Sequence, residues 1–166
     1  MSAGEDKNRG YNEIPPCMIH VDKEGNWFHN GAPIIDRGLV ALFYRSLDLD
    51  DEGRYIITFK DQVCHLDVED TPHVIVRTDF VSGPSHGEED RFVLRFTDDS
   101  EEDLDPKTLS IGPGHVLYCK LRNGKFKARF SRPGYYQLAQ YFQEEPETGR
   151  FFLFLNEEKY YVEKTS

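Results

Sequence analysis

A pattern of hairpin, helix and hairpin occurs twice in the sequence, and it constrains the fold more than any other feature. Asp36-Arg37 correspond to Ser131-Arg132 at an offset of 95, and Tyr55 to Phe59 correspond to Phe151 to Leu155 at an offset of 96. The hairpins before the helices align less well, and chance similarity between two such segments is the alternative. Short strands beside short amphipathic helices predict an α+β fold of duplicated hairpin–helix–hairpin units with mainly antiparallel sheet.

Turn residues and N-caps set the element boundaries of both copies. In the first copy, Asp36 is predicted to cap a helix that runs to about Leu47. In the second copy, Ser131 is predicted to cap a helix that runs to about Phe142 or Glu144. The predicted strands are Met18 to Val21, Asn26 to His29, Tyr55 to Phe59, Val63 to Glu69, His73 to Val81, Arg91 to Thr97, His115 to Leu121, Lys125 to Phe130, Phe151 to Leu155 and Lys159 to Val162.

These boundaries predict three parts of the chain. We expect a flexible tail over residues 1–13, an N-terminal repeat over residues 14–70, and a C-terminal repeat domain over residues 71–166 that includes an acidic loop over residues 98–105. Residues 98–105 hold six acidic side chains among eight, which is typical of a solvated, mobile loop. A divalent-cation loop is the alternative, but the glycine and glutamate of an EF-hand are missing.

Charge and cysteine usage limit the function classes. The net charge is −10 and the pI is about 5.0, which argues against bulk nucleic-acid binding and against anionic membranes. The sequence has no run of 18 apolar residues and no apolar signal-peptide stretch. Three cysteines without a Cys-x-x-Cys pair predict buried thiols in a reducing compartment. We therefore expect a cytoplasmic protein without a membrane contact.

A basic hairpin contrasts with the acidic remainder. From Lys107 to Arg132 there are seven Lys or Arg residues and no Asp or Glu. Asn123-Gly124 is a strong hairpin-turn signal, and it pairs Arg122 with Lys125, Lys120 with Lys127, and Tyr118 with Arg129 on one face. The opposite face then holds the pairs Leu121 with Phe126, Cys119 with Ala128, and Leu117 with Phe130. The hairpin is thus predicted to have an apolar core face and a basic face.

The basic face is a candidate anion-binding surface. It leads toward the N-terminus of the helix after Ser131, where free N–H groups and the helix dipole favour an anion. Arg129 and Arg132 can bind phosphate or carboxylate in bidentate fashion, and Tyr135 and Tyr136 can stack on a base. The alternatives are a solvated edge hairpin whose lysines block edge pairing, or an internal clamp onto the acidic loop.

Acid–base chemistry is a rival interpretation. Asp67, Glu69 and Asp70 lie near His65 and His73 in the sequence, and a carboxylate–His pair can transfer protons. However, no serine or cysteine nucleophile stands in an elbow motif, and Asp70-Thr71-Pro72 is equally typical of a strand-ending turn. The histidines show no metal-ligand spacing, so the sequence predicts neither a metal nor a cofactor.

Three motifs resemble the bacterial domain of unknown function 1285. They are Asp22-x-x-Gly25-x-Trp27-x-x-x-Gly31-x-Pro33-Ile34-x-x-Arg37, Val68-Glu69-Asp70-x-Pro72, and Ala128-Arg129-x-Ser131-Arg132-Pro133-x-Tyr135-Tyr136-x-Leu138. The resemblance extends from about Ile14 to Val162. The sequence departs from the family pattern in its acidic loop over residues 98–105.

The resemblance implies an uncharacterised, two-part α+β protein whose C-terminal part is loosely like a pleckstrin-homology fold. It also implies a nucleotide-like ligand between the two parts and a role in bacterial signal transduction, with no enzyme activity assigned. The residues that the resemblance places near that ligand are Trp27, Arg37, Glu69, Asp70, Arg129, Arg132, Tyr135 and Tyr136. The basic face adds Lys120 as a further candidate ligand-binding residue.

The function predicted from the sequence is therefore a non-enzymatic module that binds a small anionic or nucleotide-like ligand. The first alternative is a hydrolase or isomerase that uses a carboxylate–His pair. The second is a protein–protein interaction module that uses the aromatic hairpin Phe151 to Tyr161 as its contact surface.

Overall fold

The computed structural model describes residues 14–83 and 89–165. The predicted tail 1–13 and part of the predicted loop Ser82 to Asp90 therefore lie outside the described residues. The chain divides between Asp70 and Thr71 into two compact units, which are called here the first unit and the second unit.

The first unit combines one helix with a six-stranded sheet. The strand order is β3-β2-β1-β6-β5-β4, and β1 and β6 are parallel neighbours whereas the other neighbours are antiparallel. Its elements are β1 (Pro16–Val21), β2 (Trp27–His29), β3 (Ala32–Pro33), α1 (Arg37–Ser46), β4 (Leu47–Leu49), β5 (Tyr55–Phe59) and β6 (Gln62–Val68).

Alternation along the strands separates a core face from a solvent face. The core of the first unit is formed by Ile19, Val21, Trp27, Val40, Tyr44, Leu47, Ile57 and Leu66. The predicted N-cap of α1 is confirmed, because the Asp36 Oδ1 accepts the backbone N–H groups of Gly38 and Leu39 at 2.9 and 3.2 Å. Helix α1 then places Val40 and Tyr44 against the sheet.

Cys17 and Cys64 form a disulfide, with a Cα–Cα distance of 5.0 Å. The prediction of three reduced thiols is therefore wrong for these two. The pairing depends on the parallel contact between β1 and β6, which joins residues that are far apart in the sequence. Cys119 is a buried free thiol, and burial raises its pKa. The predicted reducing, cytoplasmic compartment loses this support, since disulfides persist in oxidising environments.

The second unit contains a seven-stranded and a three-stranded sheet among its described residues. Their strand orders are β16-β10-β11-β12-β7-β8-β9 and β13-β14-β15. The elements are β7 (His73–Val81), β8 (Arg91–Phe96), β9 (Glu101–Asp103), β10 (Ser110–Gly112), β11 (Val116–Leu121), β12 (Phe126–Phe130), α2 (Arg132–Ala139), β13 (Phe142–Glu144), β14 (Phe151–Leu155), β15 (Glu158–Tyr161) and β16 (Glu163–Lys164). Short 3₁₀ turns occupy Pro106–Thr108 and Pro113–His115.

Helix α2 lies against β7 at a glycine. A Cβ at Gly134 would come within 2.7 Å of the Ile75 carbonyl oxygen, so this position requires a residue without a side chain. The predicted continuation of the helix to Phe142 or Glu144 is wrong, because α2 ends at Ala139 and Phe142 pairs with Leu153 of β14 instead. Sheet pairing thus overrides helical propensity at these positions.

Residues 98–105 are more ordered than predicted. Glu101–Asp103 form the edge strand β9, so the prediction of a loop is wrong for these three residues, although Glu101 and Asp103 are exposed as predicted. Glu101 and Asp103 form ion pairs with Arg95 and Arg91 of β8 at 2.7 and 2.8 Å. The physical reason is that Glu101 lies directly opposite Arg95 and Asp103 lies diagonal to Arg91 across the strand pair.

The three strands that follow each helix have the same order and matching registers. Leu47 pairs with Ile57 after α1, and Phe142 pairs with Leu153 after α2. Both following hairpins turn through two residues of positive φ, Lys60-Asp61 in the first unit and Asn156-Glu157 in the second. The internal duplication stays a prediction, and these matches support it.

Candidate functional site

An apolar groove with a volume of about 980 Å³ opens on the first unit. It lies between the start of β1, the β2–β3 edge, α1 and the β5–β6 hairpin. Its lining residues are Pro15, Pro16, Cys17, Ile19, His29, Ala32, Pro33, Ile34, Leu39, Phe43, Ile57, Phe59, Gln62, Val63 and Cys64. A concave site of this size, with mainly apolar walls, is typical of small-molecule binding.

The width of the apolar stripe on α1 explains why the groove exists. Val40 and Tyr44 are buried against the sheet, whereas Leu39 and Phe43 point along the neighbouring side of the helix and line the groove. Leu39 remains 39% exposed. On the opposite wall, Phe59 at the end of β5 is 50% exposed. Large apolar side chains are thus left in contact with solvent.

Polar groups in the groove are few. In the described part of the chain, His29 and Gln62 are the lining residues with hydrogen-bonding side chains, and no Asp, Glu, Lys or Arg lines the groove. The disulfide Cys17–Cys64 forms part of the wall and holds β1 to β6 there. The arrangement favours a ligand with an uncharged apolar body and a single polar group.

The groove wall is connected directly to the core through Phe43. The ring of Phe43 stacks on Trp27, with centroids 5.8 Å apart, and Trp27 in turn contacts Tyr44 edge-on at 5.1 Å. Trp27 is buried, so this residue, predicted near a ligand, supports the wall from behind.

A histidine–carboxylate cluster lies on the opposite, solvent face of the first sheet. His20 Nδ1 contacts the Asp67 Oδ2 at 2.7 Å, and His20 Nε2 lies 3.5 Å from the Glu69 Oε1. The hydrogen bond that the His20 ring donates to the Asp67 carboxylate raises the pKa of His20. The carboxylate–His pair therefore involves His20, which was not among the histidines that sequence proximity favoured.

His20 should titrate above the usual range of a histidine, and Asp67 should be the main cause. Because the folded-state pKa is raised, the cluster contributes stability below the unfolded pKa of about 6.5, and this is lost as pH rises through the folded pKa. NMR titration of the His20 ring protons will measure this, and Asp67→Asn should lower the value. An unchanged pKa in Asp67→Asn would contradict the assigned cause.

His73, one of the two histidines expected near these carboxylates, is in a different environment. His73 is buried against Phe96 and Phe126, with ring centroids 6.2 and 4.9 Å away. Burial lowers its pKa to about 3, with a smaller contribution from Arg122. His73 is therefore a neutral core residue at physiological pH.

The predicted register of the basic hairpin is confirmed. Tyr118 pairs with Arg129, Lys120 with Lys127, and Leu121 with Phe126. The strand pairing ends at Leu121 and Phe126, so Arg122 and Lys125 belong to the turn, where the Lys125 N–H still donates to the Arg122 carbonyl at 3.3 Å. Arg122, Asn123 and Gly124 all have positive φ. The apolar face is buried, as predicted, at Leu117, Cys119, Leu121, Phe126, Ala128 and Phe130.

The basic face has contacts of its own. The Lys127 ammonium lies over the Tyr118 ring, 4.5 Å from its centroid. The Glu102 Oε1 accepts the Arg122 backbone N–H at 2.8 Å, so one carboxylate of the acidic segment reaches the end of the hairpin. Lys120 and Lys127 are exposed beside each other across the strand pair.

The remaining predicted site residues fall into two groups. In the first unit, Arg37 is the exposed first residue of α1, Glu69 accepts the Lys23 N–H at 2.8 Å, and Asp70 is half-buried. In the second unit, Arg132 is the exposed first residue of α2, and the rings of Tyr135 and Tyr136 are in edge contact at 5.5 Å.

The aromatic hairpin proposed as an interaction surface is divided between core and solvent. Phe152, Leu153 and Leu155 are buried, whereas Phe151 and Phe154 are 46% and 50% exposed. Part of this hairpin therefore lies in the core of the second unit, although burial along β14 is not strictly alternating, since the neighbours Phe152 and Leu153 are both buried.

Comparison with known proteins finds matches among solved structures. No protein-family model and no curated protein matches the chain. A DUF1285 family protein from Silicibacter pomeroyi DSS-3 superposes with a TM-score of 0.71 at 19% identity, covering 90% of this chain and 81% of that one. The fold is that of the DUF1285 proteins. The DUF1285 family protein from Shewanella baltica OS155 has a TM-score of 0.61 at 19% identity, and covers 77% of this chain and 94% of that one.

The predicted resemblance to DUF1285 is thus confirmed at the level of the fold. The α+β class is confirmed as well, while the pleckstrin-homology likeness of the C-terminal part stays a prediction. Within residues 14–83 and 89–165, no helix is long and apolar enough to span a membrane. The same residues contain no cluster of three His, Cys, Asp or Glu side chains arranged to hold a metal ion.

Proposed function

We propose that this chain is a non-enzymatic sensor that binds a small, largely apolar molecule in the groove of the first unit. The observation that carries the proposal is a groove of about 980 Å³ whose lining, within the described residues, contains no Asp, Glu, Lys or Arg and leaves Leu39 and Phe59 exposed. A ligand that fills the groove would remove this apolar surface from water, and each Å² of buried apolar surface contributes roughly 25 cal/mol to the free energy of binding. The ligand we infer has a hydrocarbon body and one polar group for His29 or Gln62.

A small molecule fits the groove better than an added peptide strand. Strand addition uses the free N–H and C=O groups of a sheet edge, but the edge strand β3 is only Ala32–Pro33 and Pro33 has no N–H. The groove is concave, and its walls come from a helix as well as from strands. A pocket of this form is suited to a compact ligand.

The first test uses a matched pair of variants on the N-terminal side of α1. Leu39→Arg should reduce binding of 1-decanol about tenfold or more, because a charge replaces a buried contact worth about 1.5–3 kcal/mol. Isothermal titration calorimetry will measure this. Ile35→Arg is the control, since Ile35 is 89% exposed and outside the lining. Equal decanol affinities of the two variants would contradict the groove as the site.

The basic face of the second unit supports a second candidate function, the binding of an anionic or nucleotide-like ligand. The confirmed register places Lys120 and Lys127 side by side, with Arg129 on the same face. Charge-assisted hydrogen bonds to phosphate contribute about 1.5–3 kcal/mol each. This surface corresponds to the ligand chemistry that the resemblance implies.

Pyrophosphate is the probe for this second candidate. The double substitution Lys120→Gln and Lys127→Gln should weaken pyrophosphate binding at least tenfold at low salt, and wild-type binding should fall as salt rises. Lys60→Gln, on the β5–β6 turn of the first unit, is the control. Salt-independent binding, or equal affinity of the double variant and the control, would remove the basic face as an anion site.

A further inference from the structure

An aromatic cleft opens on the second unit, with a volume of about 730 Å³. Its floor and walls include Phe80, Phe92, Tyr141 and Phe154. The rings of Phe80 and Tyr141 are stacked with centroids 5.5 Å apart, and Phe92 meets both rings edge-on at 5.3 and 5.0 Å. Phe80, Tyr141 and Phe154 are all more than 40% exposed, so the cleft presents ring surface to whatever enters it.

The rim of the aromatic cleft is acidic. Glu89, Asp90 and Glu157 line it, and among the residues that the structure describes the lining contains no Lys, Arg or His. The rim is held in place by Asn156, whose Oδ1 accepts the Asp90 N–H and whose Nδ2 donates to the Asp90 carbonyl, both at 2.8 Å. The hairpin turn between β14 and β15 is thereby tied to the residue before β8, and three acidic residues line the cleft together with its aromatic walls.

We propose that the aromatic cleft binds a small organic ammonium ion that carries methyl groups, such as a trimethylammonium compound. Aromatic faces attract a cation through the ring quadrupole, and carboxylates at the rim add charge complementarity. An alkylated ammonium is weakly hydrated, so it gives up less hydration than a lysine ammonium when it contacts the rings. Neither an anion nor a neutral apolar molecule matches both features of this cleft.

The proposal is independent of the apolar groove. All the residues that line the cleft belong to the second unit, whereas the groove belongs to the first. A chain that binds decanol but no ammonium ion would therefore support the proposed function and overturn this inference. A chain that binds an ammonium ion but no decanol would support this inference and contradict the proposed function.

Choline and its neutral isostere 3,3-dimethylbutan-1-ol test the charge requirement directly. In heteronuclear NMR titrations of the full chain at millimolar ligand, choline should shift the backbone amides of Tyr141 and Asn156 and the isostere should not. Absence of these shifts with choline, or equal shifts with the isostere, would overturn the proposal.

Two phenylalanines of one strand supply the matched variants. Phe154→Leu should weaken choline binding roughly two- to fivefold, the loss expected for one exposed cation–π contact. Phe151→Leu should leave it unchanged, because Phe151 has a similar exposure but lies outside the lining. The double substitution Glu89→Gln and Glu157→Gln should also weaken binding, and should reduce its salt dependence. Equal choline affinity of all variants would show that choline binds outside the aromatic cleft, and it would overturn the proposal.

Discussion

Replacing Trp27 by Ala is expected to lower the free energy of unfolding of the first unit by about 3–5 kcal/mol. Trp27 is 3% exposed, stacks on Phe43 and contacts Tyr44 edge-on. The substitution removes the largest side chain of the core of the first unit and leaves a cavity behind the groove wall. Urea denaturation followed by far-UV circular dichroism will measure the loss.

Trp27→Phe separates packing from hydrogen bonding at this position. Among the described residues, the Trp27 Nε1 has no hydrogen-bond partner, so Phe removes an unsatisfied polar group while keeping an aromatic ring against Phe43. We expect Trp27→Phe to be much less destabilising than Trp27→Ala. A loss below 1 kcal/mol for Trp27→Ala, which is about the effect of an average substitution, would contradict the core position.

Removing the disulfide should have the next largest effect. The double substitution Cys17→Ala and Cys64→Ala is expected to cost about 2–4 kcal/mol, because the cross-link restricts the unfolded chain across a sequence separation of 47. Denaturation of the wild type in the presence of dithiothreitol should give the same midpoint as the double variant without it. Both should lie well below the untreated wild type.

Thiol counting provides the control for this experiment. The unreduced, denatured chain should show one reactive thiol, from Cys119, and reduction should increase the number to three. The native chain should react slowly, since Cys119 is buried and burial raises the pKa of its thiol. Three thiols before reduction, or no effect of dithiothreitol on the midpoint, would show that Cys17 and Cys64 are unpaired.

The features of the fold that depend on residues close together in the sequence were predicted correctly. The cap at Asp36 and the hairpin around Asn123-Gly124 depend on neighbouring residues, and both were predictable. The pairing of Tyr118 with Arg129 and of Lys120 with Lys127 follows from the turn position and the alternation of apolar residues.

Features that depend on long-range pairing were not predictable in the same way. The disulfide requires the parallel contact of β1 with β6, and the end of α2 depends on the pairing of Phe142 with Leu153. The acidic segment was interpreted from composition alone. Part of it forms the strand β9, whose Glu101 and Asp103 pair with Arg95 and Arg91 of β8. These partners are distant in sequence or carry no local signal.

The apolar groove was missed because its residues look like ordinary core residues in the sequence. Leu39 and Phe43 belong to the same apolar stripe as Val40, and only the packing of α1 decides which of them face the sheet. The excess width of that stripe was the one available signal. Conversely, Trp27 was expected near a ligand, and it lies in the core directly behind Phe43.

Quenching of Trp27 fluorescence tests the groove most directly. Trp27 is the single tryptophan of the chain, and it stacks on Phe43 of the groove wall. A heavy-atom ligand such as 11-bromoundecanol should quench this fluorescence in a saturable way, with undecanol as the non-quenching competitor that restores it. Quenching that rises linearly with concentration, and that undecanol does not reverse, would show that no apolar ligand occupies the groove.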